Sequence, residues 1–333
     1  MRYAVFDIGS NSLKFIVSER RGKHLHTLTE TSRFTRLAED LIHTGSLKPE
    51  AMQRTLTAMA ELRAEADLLG VQHFRAVATS AVRDSKNRKK FLKDAREALG
   101  FPVRLISGEV EAATIFEGVS SDPHWRKSSL FIIDIGGGSA EWIQGDNHQI
   151  TERMSLPLGC VRLRERFIHQ HPVGAAGVDR LRKILHEQLQ PALATYQLNG
   201  RTLVGTGGTS SCLAAMDLKL KEFDPHKIDH YVVTRRKIRD RLEHLQTLNL
   251  EQLAKVVGLP RKRIDLIIPG AALLYVCMEI LGAEKITMSM RGLRYGVLHQ
   301  LANETAKTVV APKKKATAKK TPALTVVRRQ KVA

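Results

Sequence analysis

The chain has few cysteines, few aromatic residues and no long apolar run. Its 333 residues include three cysteines, and 5% of them are aromatic. Cys160, Cys212 and Cys277 are scattered without the paired spacing of a metal site, which is typical of unpaired thiols in a reducing compartment. The apolar runs are far shorter than a membrane span, and the first residues already have the pattern of a strand. We therefore expect a cytoplasmic protein without a signal peptide or a membrane segment.

Acidic residues are also scarce relative to basic ones. The chain has 53 Lys or Arg and 34 Asp or Glu, which gives a formal net charge of +19. The segment 304–333 contains nine Lys or Arg and one Glu, a net charge of +8, so the remaining residues carry +11. Both parts favour polyanionic partners through long-range attraction. Charge alone does not distinguish nucleic acid from polyphosphate or from a nucleotide.

The segment 304–333 is dominated by Lys, Ala, Thr, Pro and Val. Because such a composition cannot bury enough apolar surface to order itself, we predict a disordered basic tail. The tail is either simply solvated or acts as an electrostatic tether to a polyanion such as nucleic acid or polyphosphate.

Several common catalytic motifs are missing from the sequence. There is no nucleophile elbow of a Ser/His/Asp hydrolase, no Walker A lysine motif and no G-x-G-x-x-G dinucleotide fingerprint. The spacing of the histidines and cysteines matches no metal-binding pattern. These absences argue against a serine hydrolase, a P-loop nucleotidase and a dinucleotide-dependent dehydrogenase.

What the sequence does contain is a glycine turn between two strand-like segments at 130–141. Three consecutive glycines at 136–138 permit close backbone approaches that a Cβ atom forbids. With Ser139, such a turn can direct several N–H groups at one anion and form a nest of phosphate size. Asp134 and Glu141 would lie beside that nest. Two carboxylates near a bound phosphate predict a hard cation such as Mg²⁺ between them.

The same pattern occurs near the N-terminus. Asp7-Ile8-Gly9-Ser10-Asn11-Ser12 follows one strand-like segment and precedes another, as Asp134-Ile135-Gly136-Gly137-Gly138-Ser139 does. A single glycine turn after a strand is usually only a hairpin. An internal repeat implies two similar halves that face one site, so the second copy favours a phosphate site over a pair of unrelated hairpins.

The periodicity of apolar residues predicts an α/β protein. We expect strands over 2–8, 12–20, 24–36, 74–79, 103–106, 129–135, 139–145, 148–155, 201–205 and 285–289. We expect helices over 49–69, 87–99, 107–119, 159–167, 178–196, 235–248, 250–257, 264–281 and 292–301, with a further helix that ends at Met216. The segment 80–84 is expected to be a loop.

Both halves start with a strand-turn-strand unit and continue with helices. This order predicts a duplicated ribonuclease-H-like fold, of the actin-like or sugar-kinase-like kind, with two lobes and a central cleft. We place the first lobe at 1–124 and the second at 125–303, with the link near 120–128.

Glu109 and Glu111 open a predicted helix that Ser107 would cap. In one interpretation they only stabilise the first helical turn, by roughly 0.3–1 kcal/mol. In the other, one of them is a general base that activates water for attack on phosphorus. The spacing favours neither glutamate over the other.

Three further elements could contact a phosphate. Arg83 follows a strand and is either solvated or clamps a phosphoryl group with its planar guanidinium. The turn 205–209 joins a strand to a helix, so it is either a packing turn or an anion site at a helix N-terminus. Arg162, Arg164 and Arg166 either reach the substrate or lie on a helix surface.

Taken together, these motifs resemble one known family. The set is Asp7-Ile8-Gly9-Ser10-Asn11-Ser12, Ala78-Thr79-Ser80-Ala81-Val82-Arg83, Ile106-Ser107-Gly108-Glu109-Val110-Glu111-Ala112, Asp134-Ile135-Gly136-Gly137-Gly138-Ser139-Ala140-Glu141, Leu158-Gly159-Cys160-Val161-Arg162-Leu163 and Gly205-Thr206-Gly207-Gly208-Thr209. In this order, over about residues 1–302, the set is similar to the exopolyphosphatase / guanosine pentaphosphate phosphohydrolase (Ppx/GppA) family, and to its short, two-domain members in particular.

The resemblance implies the two-lobed actin-like fold and Mg²⁺-dependent hydrolysis of a terminal phosphoanhydride. It implies Glu111 as the catalytic glutamate, Arg83 as a phosphate-binding catalytic partner, and Asp134 and Glu141 as metal ligands. The implied phosphate-binding residues are Asp7, Gly9, Ser10, Asn11, Ser12, Gly136, Gly137, Gly138, Ser139, Gly207, Gly208 and Thr209. The family also leads us to expect a homodimer.

The chain departs from the family pattern in places. Val110 stands where a further acidic residue is common, and Trp142 stands where smaller aliphatic residues are common. Longer members carry additional C-terminal helical domains that help to hold the polymer, which puts processive digestion of very long chains in doubt here.

We therefore expect an exopolyphosphatase that releases phosphate from inorganic polyphosphate. The first alternative is a guanosine pentaphosphate 5′-phosphohydrolase that forms guanosine tetraphosphate in the stringent response. Others are a phosphotransferase acting on ATP, a non-catalytic sensor of polyanions or nucleotides, and a nucleic-acid-binding protein that uses the basic tail.

Overall fold

Two mixed β-sheets form the framework of the chain, and each begins with an antiparallel hairpin. The computed structural model describes residues 1–125 and 127–310. The strands are β1 Arg2–Ile8, β2 Leu13–Arg21, β3 His24–Arg33, β4 His73–Ala78, β5 Val103–Leu105, β6 Ser129–Ile135, β7 Ala140–Asp146, β8 Gln149–Leu156, β9 Thr202–Thr206, β10 Val232–Thr234 and β11 Lys285–Met288.

The two sheets repeat one topology. The first has the order β3-β2-β1-β4-β5 and the second the order β10-β11-β9-β6-β7-β8. In each, three antiparallel strands (β1 to β3, β6 to β8) are followed by parallel neighbours, β4 and β5 in the first sheet and β9 and β11 in the second. The chain therefore has the predicted duplicated α/β fold of the actin-like kind.

The first strand of each hairpin is almost wholly buried. All residues of β1 after Arg2 and all residues of β6 after Ser129 are inaccessible to solvent or nearly so. Strands buried on both faces are mostly apolar, as both of these are apart from their first residues and the aspartates Asp7 and Asp134. The edge strands β3 and β8 are half exposed and contain more polar residues.

The helices pack on the faces of the two sheets. They are α1 Leu41–Thr44, α2 Pro49–Leu68, α3 Ser80–Arg83, α4 Arg88–Leu99, α5 Gly108–Ser120, α6 Cys160–Phe167, α7 Gly174–Ala192, α8 Gly207–Asp217, α9 Pro225–Ile228, α10 Arg235–Leu245, α11 Leu250–Leu253, α12 Ile267–Ile280 and α13 Leu293–Val310. In the part of the chain that the structure describes, no helix has both the length and the hydrophobicity of a membrane span.

Several element bounds differ from the sequence prediction. The expected loop 80–84 contains the short helix α3, and α11 ends at Leu253 rather than near residue 257. The edge strand β10 was not predicted, because its three residues are too short for a periodic pattern and depend on pairing with β11. Helix α7 starts earlier than predicted and ends at Ala192, directly after Pro191.

The last helix is longer than its apolar pattern indicates. It continues to Val310 and so enters the segment predicted as a tail. Within this extension the Glu304 carboxylate accepts a hydrogen bond of 2.6 Å from the guanidinium of Arg75 on β4. The rest of the predicted disordered tail, 311–333, lies outside the described residues.

Helices α5 and α13 lie together between the two sheets. Apolar residues of both helices and both sheets form one cluster: Tyr3, Val5, Ile16, Val77, Ala112, Ile115, Phe116, Leu130, Ile132, Val204, Val297 and Leu298. The helices approach closely because each has a glycine at the crossing. A Cβ atom on Gly118 would overlap the backbone of Gly292, and one on Gly296 would overlap the backbone of Thr114.

We predict that Gly118→Ala and Gly296→Ala each lower the free energy of unfolding by about 1–3 kcal/mol, because the added methyl group would force two backbones apart. Urea unfolding of the full chain measures the change. The matched control is Gly177→Ala in α7, where the added atom meets only the side chain of Val173 and where Ala is the better helix former. Equal effects at all three positions would contradict the account of the crossing.

Candidate active site

The two repeats form equivalent turns at their hairpins. The N–H of Gly9 donates to the carbonyl oxygen of Ser12 at 3.1 Å, and the N–H of Gly136 donates to that of Ser139 at 3.0 Å. Both turns thus have the same internal hydrogen bond, as the aligned motifs predict.

The two turns pack against each other with glycine at the contact. A Cβ atom on Gly138 would overlap the hydroxyl oxygens of Ser10 and Ser80, and one on Gly159 would overlap the backbone of Gly137. The Ser10 and Ser80 hydroxyls are 3.0 Å apart. The sequence therefore needs glycine here for close approach of two backbones, not for a left-handed conformation.

A cavity of about 60 Å³ lies between the turns, enough for a few water molecules or one phosphoryl group. It is lined by these residues from the predicted set: Asp7, Gly9, Ser10, Asn11, Ser12, Glu111, Asp134, Gly136, Gly137, Gly138, Ser139, Glu141, Gly207 and Gly208. Two predicted residues do not line it. Thr209 is buried against Gly270, and Arg83 lies behind Glu111.

Part of the cavity wall offers hydrogen-bond donors. Helix α8 begins at Gly207 and Gly208, so its unpaired N–H groups and the positive end of its dipole face the cavity. The Asn11 side-chain nitrogen is buried and donates to no described residue. A buried amide without an acceptor is costly, and an anion in the cavity would supply one.

The rest of the wall is acidic. Four carboxyl groups there are at most 7% exposed, namely those of Asp7, Glu111, Asp134 and Glu141. Burial raises the pKa of all four. Mutual repulsion adds to this effect at Glu141, whose pKa is raised further by Glu111 and Asp134. The Ser155 hydroxyl opposes the shift by donating to Glu141 Oε1 at 2.8 Å.

The structure separates the two glutamates that sequence spacing left equivalent. Ser107 caps α5 by accepting a hydrogen bond from the Val110 N–H. Glu109 and Glu111 both lie in the first turn of this helix, but Glu111 lines the cavity whereas Glu109 is exposed to solvent. The Arg83 guanidinium donates to Glu111 Oε2 at 3.2 Å and to the Ile106 carbonyl oxygen at 3.0 Å. Burial raises the pKa of Glu111 to about 7, against the opposing effect of Arg83.

Two basic residues of the cavity were not predicted. Lys14 lies opposite Asp7 in the β1–β2 register, as Glu141 lies opposite Asp134 in the β6–β7 register. The alignment of the two motifs already places Lys14 at the position of Glu141, since each lies seven residues after the aspartate of its repeat. Arg263 reaches the cavity from a turn after α11, and its guanidinium lies beside Gly208 and 5.2 Å from the centre of the Phe34 ring.

The donor set of the cavity suits a hard divalent cation. Mg²⁺ is usually held by one or two carboxylates together with waters and substrate phosphates. Asp134 and Glu141 are neighbours in the strand register, and their burial and raised pKa values show that negative charge there lacks compensation.

A separate group that can hold a metal ion comprises Asp122, Asp229 and His230, whose ligand atoms all lie within 4.8 Å of one another.

The geometry matches a known phosphatase family. A profile of the Ppx/GppA phosphatase family matches residues 16–305. The chain belongs to this family. The match begins within β2, after the first glycine turn, and it includes the whole second hairpin and the carboxylates of α5, β6 and β7.

Two curated relatives show how much of the family's length the chain spans. Exopolyphosphatase 2 of Mycobacterium tuberculosis is 31% identical over 319 residues, which is 90% of this chain and 98% of that protein. The guanosine-5′-triphosphate,3′-diphosphate pyrophosphatase of Vibrio vulnificus is 30% identical over 304 residues, which is 91% of this chain and 59% of that protein.

Solved structures of the family share the fold over nearly the whole chain. The Aquifex aeolicus Ppx/GppA family member is 29% identical with a TM-score of 0.78, covering 92% of this chain and 98% of its own. An exopolyphosphatase from Cytophaga hutchinsonii is 25% identical with a TM-score of 0.82, covering 91% and 98% of the two chains. The chain is thus a phosphatase homologue of the short form.

We predict that Gly138→Ala abolishes most phosphatase activity while the chain stays folded, because the new methyl group would push the second turn away from Ser10 and Ser80. A displacement of about 1 Å can reduce turnover by 10²-fold. Phosphate release and the melting temperature, measured on the same sample, check both parts. Gly177→Ala in α7 is the control, since a Cβ atom there meets only the side chain of Val173 and lies outside the cavity. Full activity of the first variant would contradict the account.

Proposed function

We propose that the chain hydrolyses the terminal phosphoanhydride of inorganic polyphosphate in a Mg²⁺-dependent reaction and releases phosphate. The observation that supports this most strongly is the division of one small cavity into an anion-binding wall and an acidic wall that carries Glu111. The reaction would take place between the two lobes, which we propose at 1–124 and 125–303.

The donor wall would bind the terminal phosphoryl group. The α8 N-terminus at Gly207 and Gly208, the glycine turn at 136–138 and the unpaired Asn11 amide offer N–H groups to phosphate oxygens. Lys14 adds a positive charge 3.8 Å from Asp7. Such prearranged donors stabilise the charge that the phosphoryl oxygens carry in the transition state.

Glu111 would act as the general base. A water molecule next to its carboxylate attacks the terminal phosphorus, the bond from that phosphorus to the bridging oxygen breaks, and the shortened chain leaves with the bridging oxygen. Glu111 accepts the proton of the water. A base with a pKa of about 7 is well matched to proton transfer near neutral pH.

Asp134 and Glu141 would hold the Mg²⁺ ion. When bound, the ion neutralises negative charge on the phosphoryl oxygens and polarises the phosphorus. The Ser155 hydroxyl keeps Glu141 oriented through its 2.8 Å hydrogen bond.

Two observations favour polyphosphate over guanosine pentaphosphate. None of the described residues that line the cavity is aromatic, so a guanine base has no ring to stack on there. The chain also spans nearly all of a relative named an exopolyphosphatase, but only 59% of the one named for guanosine-5′-triphosphate,3′-diphosphate. That second relative keeps conversion of guanosine pentaphosphate to the tetraphosphate as the alternative function.

Phosphate release from equal concentrations of polyphosphate, guanosine pentaphosphate and ATP, with and without Mg²⁺, tests the proposal. We expect Mg²⁺-dependent release from polyphosphate at the highest rate. Preference for guanosine pentaphosphate would establish the alternative. Transfer of phosphate from ATP to an acceptor without free phosphate would indicate a phosphotransferase, and no release from any substrate would contradict an enzymatic role.

We predict that Glu111→Gln lowers kcat by about 10²–10⁴-fold, because the amide cannot accept the proton of the attacking water. Steady-state kinetics with polyphosphate measures the effect. Glu109→Gln, an exposed change of the same type two residues away, should leave kcat within twofold of wild type, roughly the scatter expected for surface substitutions. A similar loss in both variants would mean that the helix start, not the base, was disturbed.

We predict that kcat/KM rises as the pH increases through about 7, because Glu111 accepts a proton only as the carboxylate. Arg83→Gln should move the midpoint to higher pH, since Arg83 lowers the pKa of Glu111. A pH profile of each variant separates this effect from a loss in rate. Lys89→Gln, an exposed change on α4, should not move the midpoint, and an unmoved or lower midpoint in Arg83→Gln would show that Arg83 does not tune the base.

A further inference from the structure

A second concave surface lies at the opposite end of helix α8 from the catalytic cavity. It is a groove of about 450 Å³ lined by Met216, Lys219, Arg241, His244, Leu248, Gln252, Lys255, Val256 and Val257. We call it the basic groove, because three Lys or Arg and one His line it and no Asp or Glu does.

The cations of the basic groove are not neutralised by acidic groups among the described residues. None of Lys219, Arg241 and Lys255 forms an ion pair with a described residue. Arg241 donates one hydrogen bond, of 3.3 Å, to the carbonyl oxygen of Met216. Lys219 and Lys255 are exposed at the rim.

The other cations of helix α10 behave differently from Arg241. Arg235 pairs with Glu284, and Lys237 pairs with Asp217 at 2.7 Å. Arg236 and Arg239 both pair with Asp240, at 3.7 and 3.0 Å. The helix therefore neutralises its outward-facing cations and leaves uncompensated the one that faces the basic groove.

The segment 255–263 connects the basic groove to the catalytic cavity. Gly258 packs on the backbone of Ala215 and Met216 near the end of α8, and Arg263 lies beside Gly208 at its start. The segment thus runs alongside α8 from one end to the other. This helix has 11 residues and a length of about 16 Å. Arg261 and Lys262 are exposed between the two ends, and neither is paired with a described acidic residue.

Building on the proposed function, we propose that this track of cations binds the body of an inorganic polyphosphate chain whose last phosphate occupies the catalytic cavity. The polymer carries a negative charge on every unit, which is complementary to unpaired cations at both ends of α8 and between them. The C-terminal segment beyond residue 310 is a poor occupant, because it is itself basic.

The binding role is tested apart from hydrolysis by measuring Kd for long polyphosphate and for tripolyphosphate in a Glu111→Gln background. Combined Lys219→Gln, Arg241→Gln and Lys255→Gln changes should raise Kd for the long chain by roughly tenfold, about the loss expected for three exposed charge contacts. The salt dependence of Kd should become shallower, because fewer counterions are exchanged. Tripolyphosphate is too short to span α8, so its Kd should change much less.

Arg236→Gln is the control, since it removes an exposed cation of the same helix that does not line the groove. An unchanged Kd for the long chain in the triple variant would overturn the proposal, as would an equal loss for tripolyphosphate. Displacement of the polymer by polyglutamate or single-stranded DNA at lower concentration than polyphosphate itself would assign the basic groove to another polyanion and also overturn it.

The phosphate-release assay on the wild-type chain separates this inference from the proposed function. Length-dependent binding that needs the groove cations, without any phosphate release, would leave the binding site standing and refute the hydrolase. Phosphate release together with polyphosphate binding that does not depend on the groove cations would support the hydrolase and refute the binding site.

Discussion

The crowding of four buried carboxylates into one small cavity is the constraint on which the site depends. Burial raises the pKa of Asp7, Glu111, Asp134 and Glu141, and repulsion from neighbouring carboxylates raises the pKa of the last three further. When the pH is below the ordinary pKa of a glutamate, the Glu111 carboxyl is protonated in both the folded and the unfolded chain. Its contribution to the stability of the fold is lost as the pH rises through about 7. At neutral pH the fold therefore tolerates a strained charge distribution that a bound cation would relieve.

Duplication explains how one cavity comes to have two opposite walls. Each repeat supplies a hairpin with a tight glycine turn, and the turns meet because Gly137 and Gly138 contact Ser10, Asn11 and Ser80 without side chains of their own. The repeats differ at the register position opposite the aspartate, where the first has Lys14 and the second Glu141. One hairpin thus presents a cation beside its aspartate and the other presents a second carboxylate.

Local patterns allowed much of this to be predicted. The duplicated fold, the two turns and the capped start of α5 follow from strand periodicity, glycine spacing and Ser107, because each depends on residues close together in the sequence. Lys14 could also have been predicted as a cavity residue, since the alignment of the two repeats pairs it with Glu141. Arg263 could not, because it reaches the cavity through the packing of a distant turn. The ion pair of Glu304 on α13 with Arg75, 229 residues away, could not be predicted either, because no local pattern indicates such a contact.

The most direct test of the central claim is the melting temperature of the chain as a function of Mg²⁺ concentration, in wild type and in Glu141→Gln. If the carboxylates need a cation, Mg²⁺ at about ten times its Kd should raise the wild-type melting temperature by roughly 3–6 °C. Glu141→Gln should melt higher than wild type without Mg²⁺, because one repelling charge is gone, and should respond little to the ion. An equal response in both proteins, or none in wild type, would show that the acidic wall is not a cation site.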